Sequence, residues 1–145
     1  MWNTKSCCLV FLCLIFALNF SGCAGTGLKG SSAVFAQIDS RQGTGSVFVL
    51  RSTGFVGNTS RVDVRLNGLS IGAIGDDEVA IGTTQAGDNV LWADFTSIGL
   101  KGSAKVNFTA SPSSHHFFVL TQEVNGLTIK RELVEITETT FKYSL

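Results

Sequence analysis

The segment Arg61–Ile74, RVDVRLNGLSIGAI, carries the signal that decides the fold. Asn67-Gly68 is a dipeptide favoured at the centre of a type I′ hairpin turn, where both central residues need positive φ. A two-residue loop there sets Leu66 opposite Leu69, Val64 opposite Ile71 and Val62 opposite Ala73. Those residues share one face, and Arg61, Asp63, Arg65 and Ser70 take the other. The spacing predicts an antiparallel hairpin with one side in a core and one side wet.

The same period of two continues along the chain. Ala104, Val106, Phe108 and Ala110 fall on one face of a strand, with Lys105, Asn107 and Thr109 on the other. Val79-Ala80-Ile81 and Val90–Phe95 flank the turn-rich TTQAGDN and are read as a second hairpin. Ser46–Arg51 and Phe117–Leu120 are apolar on both faces, which places them at the centre of a sheet covered on both sides. Asn125-Gly126 suggests a third hairpin. A two-residue loop at that point sets Val124 against Leu127, Phe118 against Leu133 and His116 against Glu135, but also Leu120 against Arg131. Ala33–Ile38 is read as a first strand, separated from the series by SRQGTG at residues 40–45. The tail TETTFKYSL, residues 137–145, fits a final edge strand or a short helix.

The composition agrees with this reading. Sixteen glycines, one proline and eleven phenylalanines in 145 residues suit turns and pleated surfaces better than long helices. Seven or eight short strands in one domain imply an all-β, antiparallel β-sandwich, because a parallel α/β sheet would need intervening helices. Lys+Arg and Asp+Glu both number eleven. Such a balanced domain has no field to gather phosphates, so nucleic acid is not expected as a partner.

All four cysteines, Cys7, Cys8, Cys13 and Cys23, lie at the N-terminal end, so no disulfide framework staples the rest. Lys5 precedes an unbroken apolar run from Cys7 to Leu18, and small Ser21 and Gly22 stand before Cys23. These are the parts of an export signal. A run of that length falls short of the ~20 residues a membrane-crossing helix needs. Domain boundaries follow: 1–22 a cleaved signal, 23–32 (CAGTGLKGSS) a flexible tether, and 33–145 the sandwich.

Phe20-Ser21-Gly22-Cys23 resembles the lipobox of bacterial lipoproteins, departing from it at Phe20, where Leu is usual. The resemblance implies that Cys23 carries a covalent diacylglycerol and an N-acyl chain and that the partner so engaged is a membrane. Ala24 in the next position then implies the outer membrane, facing the periplasm of the cell envelope. V-x-L-N-G-x-x-I-G (64–72), A-G-D-N-x-L-x-A (86–93) and H-H-F-F-V-L (115–120) resemble the small bacterial lipoproteins catalogued as domain of unknown function 2846. More distantly they are similar to sandwich modules of the PEGA, transthyretin-like and immunoglobulin-like type. The likeness spans Ser46 to Ile136, with Ala86 where proline is common and His115-His116 where tyrosines are. Its motifs are turns and core positions, so it implies a fold and supplies no catalytic residue.

The candidate sites are few. His115 and His116 point to opposite faces of a strand, so they cannot share a metal without a bulge, and Glu135 is the remaining weak metal candidate. Asp76-Asp77-Glu78 lacks the alternating ligand spacing of a calcium loop and reads as turn chemistry. Ser111, Ser113 and Ser114 surround Pro112 without a G-x-S-x-G elbow, which argues against serine hydrolase chemistry. Trp92 and the phenylalanines are read as core. The leading expectation is a non-enzymatic binding or structural module with no cofactor beyond its lipid. One alternative is an enzyme acting on envelope polymers or through a metal, using His115, His116, Glu135 and the 76–78 turn gathered at one end. Another is an edge-strand subunit of an envelope protein complex.

Overall fold

The computed structural model describes residues 27–52, 61–97, 100–126 and 128–145. Among the described residues, two sheets are built from nine strands: β1 (Leu28–Lys29), β2 (Ser46–Arg51), β3 (Val62–Leu66), β4 (Leu69–Ile74), β5 (Glu78–Thr83), β6 (Gly87–Ser97), β7 (Leu100–Ala110), β8 (His115–Asn125) and β9 (Thr128–Ile136). Two helices, α1 (Ser31–Ser40) and α2 (Glu138–Tyr143), accompany them. One sheet runs β1-β5-β2-β8-β9 and the other β4-β3-β6-β7. The fold is thus the expected all-β sandwich, with more strands than were expected and with one internal pair, β2 against β8, running parallel.

The core lies between the sheets. Val47, Val49, Phe118 and Leu120 of one meet Val62, Val64, Leu91 and Phe108 of the other, all buried. A second cluster lies on the outer face of the five-stranded sheet, where Val34, Ile38 and Phe141 of the helices cover Phe48, Leu50, Val79 and Phe117. Every residue of β2 is therefore buried, which explains why its sequence is apolar on both faces. At the β7–β9 seam the Arg131 guanidinium lies over the Phe95 ring, 4.4 Å from its centre.

Several expectations are corrected by this arrangement. Ala33–Ile38 is helix, not strand. Its apolar residues serve either period, and the unpaired outer face of the sheet selects the helix, whose Val34 and Ile38 are one turn apart and fully buried. Residues 28–32, read as tether, belong to β1 and the first turn of α1. The tail resolves as a helix. Thr137 caps it by accepting a hydrogen bond from the Thr140 amide, and Glu138 pairs with Lys142 at 2.7 Å.

The first hairpin turns at Asn67 (φ 51°) and Gly68 (φ 84°), and Leu66 faces Leu69. Beyond Arg65 the register shifts, so Val64 faces Gly72 rather than Ile71, and Val62 faces Ile74 rather than Ala73. This bulge turns the larger Ile74 into the core in place of alanine. The second hairpin does not form: β5 pairs with β1 and β2, whereas β6 pairs with β3 and β7, so residues 84–86 cross between the sheets. The third hairpin forms with its register moved by two. Asn125 pairs with Thr128, which makes Asn125 the last strand residue and leaves Gly126 (φ 61°) in the turn. The expected Val124–Leu127 pair involves a residue outside those described, and Val124 faces Ile129. The shift gives Leu120 a buried partner in Leu133 and sets Arg131 beside Gln122, its Nε donating to Oε1 at 3.0 Å.

Candidate functional site

The turn Ser111–Ser114 feeds β8, closed by the Ser114 amide donating to the Ser111 carbonyl at 3.1 Å. Ser113 takes φ 64° there, and its hydroxyl donates to the Gly43 carbonyl at 2.7 Å. Ser114 and His116 are two apart on extended backbone, so their side chains share a side. The Ser114 hydroxyl lies 2.9 Å from His116 Nε2, and His116 Nδ1 lies 2.7 Å from Glu135 Oε1. Although Glu135 pairs with Phe118 in the ladder, its side chain reaches diagonally to the histidine, so the expected neighbourhood of the two is real.

The His116 ring packs against Phe108, 4.8 Å between centres. Its side chain is 14% exposed and that of Glu135 49%, so the pair opens to solvent from the carboxylate side. A shallow groove of about 520 Å³ runs beside Glu135 between Lys105 and Arg131, and another of about 480 Å³ lies beside Phe108 and Asn107.

Hydrogen counting defines the chemistry. The Ser114 hydroxyl also donates to the Ser111 carbonyl at 2.8 Å. An ionised carboxylate and a carbonyl only accept, so Nδ1 must carry a proton toward Glu135, and the single hydroxyl proton is claimed by Ser111. The Nε2 contact is then satisfied only when that nitrogen also donates, with the ring as imidazolium. With neutral histidine the hydroxyl must choose between Ser111 and Nε2. In the second arrangement, serine, histidine and carboxylate stand in the order that activates a nucleophile. The absence of an elbow motif argues against this constellation in the sequence, whereas the Ser-x-His spacing at the entry to β8 is the signal that could find it.

Other candidates disperse. His115 points the opposite way from His116, its Nε2 3.0 Å from the Arg41 carbonyl and its ring edge-on to Phe48. Among the described residues no three His, Cys, Asp or Glu side chains group as metal ligands. The Asp76–Glu78 turn lies at the other end of β2 from His115, so the expected gathering of these groups at one end is overturned. Its carboxylates serve the fold: Asp76 pairs with the buried Arg51 at 3.2 Å and Glu78 with Arg61 at 2.6 Å.

Trp92 is not core. It sits on the outer face of the four-stranded sheet in a row with Arg65 and Lys105, whose ammonium lies 4.7 Å from the ring centre. Asn67 and Gly68 make a structural turn, as does Gly126, and nothing in the geometry gives these residues or Asn125 a chemical role. Cys23 lies outside the described residues. Among the described residues no helix is long and apolar enough to cross a membrane. Compared with family models, curated proteins and solved structures, the chain matches none.

Proposed function

We propose that this chain is a lipid-anchored protein of the bacterial cell envelope, held by Cys23 in the outer membrane facing the periplasm. Its sandwich serves as a non-enzymatic binding or structural module. The observation that carries the reading is Phe20-Ser21-Gly22-Cys23, placed one residue after an apolar run too short to span a bilayer. Two or more acyl chains on one residue give stable attachment, because each buried methylene contributes roughly 0.8 kcal/mol. Metabolic labelling with a clickable palmitate analogue is the test. Labelling of the wild type and its loss in Cys23→Ala support the anchor, and equal labelling of both overturns it.

The Ser114–His116–Glu135 chain favours a second reading, hydrolysis of acyl esters in envelope polymers. In that reading Ser114 Oγ attacks the ester carbonyl, His116 takes the hydroxyl proton and returns it to the leaving alcohol, and water then frees the acyl group. A fluorophosphonate probe separates the two readings. Covalent labelling of the full chain that disappears in both Ser114→Ala and His116→Ala establishes the hydrolase, whereas an unlabelled, folded wild type leaves the chain of hydrogen bonds as a clamp on the turn.

A further inference from the structure

Resting on the lipid-anchor reading, we infer that one corner of the domain, formed where α1 begins and α2 ends, lies against the phospholipid headgroups with Tyr143 as its interfacial contact. The length of chain between the anchor and the fold points there. Leu28 already pairs with Val79, and the Gly27 amide donates to the Ala73 carbonyl. Only five peptide links join Cys23 to Leu28, a reach of at most ~18 Å when fully extended. The headgroup layer takes up about 5–8 Å of that reach. A domain of this size has a radius of gyration of about 13 Å, so the remaining tether is shorter than the body it holds. Free tumbling above the surface is excluded, and the face nearest β1 must meet the bilayer.

The residues at that corner suit the contact. Lys29 is exposed and leads through Gly30 into α1, and the Ser31 hydroxyl donates to the Leu145 carbonyl at 3.2 Å, which ties the end of α2 to the start of α1. Tyr143, two residues earlier, is 89% exposed, more than any other large apolar side chain among those described. The helix buries Phe141, two residues earlier and on its other side, so Tyr143 faces away from the core. Tyrosine is enriched at membrane interfaces because its ring is apolar and its hydroxyl can stay wet. Lys142 beside it pairs with Glu138 at 2.7 Å and leans over the Phe35 ring, and the exposed Lys29 places a cation at the same corner toward anionic headgroups. The other highly exposed apolar residue, Leu69, is 75% exposed beside the Asn67-Gly68 turn, at the opposite end of the sandwich, where the Asn67 amide bonds the Val90 carbonyl.

The experiment uses the full-length acylated protein in vesicles of phosphatidylethanolamine and phosphatidylglycerol. Every other cysteine precedes Cys23, so Tyr143→Cys and Leu69→Cys each place one free thiol in the processed chain for an environment-sensitive fluorophore. Expected is at least a twofold quenching by headgroup-proximal nitroxide lipids at position 143 and none at position 69. Equal quenching at both positions, or none at either in protein that floats with the vesicles, overturns the apposed corner and leaves the anchor standing. Protein that neither floats nor carries acyl mass on its N-terminal peptide removes the anchor, and this inference falls with it.

Discussion

Asn89 holds the passage between the sheets. It is buried, and its side chain makes four hydrogen bonds: Nδ2 donates to the carbonyls of Gln85 and Gly87, and Oδ1 accepts from the Gln85 amide and Asn67 Nδ2. Asn67 in turn accepts from the Val90 amide, so the β3–β4 turn and the sheet crossing are one network. Asn89→Ala leaves two carbonyls, an amide and the Asn67 donor unpaired in a confined space. A loss of about 3 kcal/mol in urea denaturation is expected. On the outer face, burial alone would raise the Asp63 pKa, but hydrogen bonds from Ser70 and Arg65 and the Arg65 charge outweigh it and hold the carboxyl below its ordinary value. That interaction stabilises the fold above the unfolded-state pKa near 3.8 and is lost as pH falls through the folded value. Asp63→Asn should therefore flatten the acid side of the stability profile below about pH 4 while costing no more than ~1 kcal/mol at neutral pH, because the pair is half-exposed. Neither asparagine network nor relay was legible from the residues alone. Asn89 sits inside a turn-rich stretch that predicts only a loop, and the Ser114–His116–Glu135 contacts need two separated segments in one register.

At the scale of the element, α1 separates local pattern from tertiary demand. Residues 34, 36 and 38 share a face in a strand, whereas in the helix Val34 and Ile38 are buried and Ala36 is exposed. Ile38→Ala should cost 2–4 kcal/mol, roughly the burial term plus a cavity, while Ala36→Glu should be within about 0.5 kcal/mol of wild type. A strand would make both changes harmful, so paired thermal melts of the two variants distinguish them. The hairpin β3–β4 shows the complementary case. Its turn was legible because positive φ at two adjacent residues is a property of Asn-Gly itself, but the bulge beyond Arg65 was not, since it follows from the core's gain in receiving Ile74.

The whole molecule is stabilised by its apolar interior, since no cysteine lies beyond Cys23 to form an internal disulfide. The melting temperature of the sandwich should be the same with and without reductant, and a reductant-dependent shift in scanning calorimetry would contradict this. The amino-acid order by itself determined an all-β sandwich, the tight turn at Asn67-Gly68, the doubly covered β2 and the divergent His115 and His116. Each depends on alternation or on backbone preferences of adjacent residues, which neighbours in the chain are enough to specify. Tertiary structure alone decided that β2 runs parallel to β8, that residues 84–86 change sheets, that α1 is a helix and that Glu135 meets His116. Those outcomes turn on which distant surfaces bury the most apolar area together, an energy that becomes defined only once the sheets face each other.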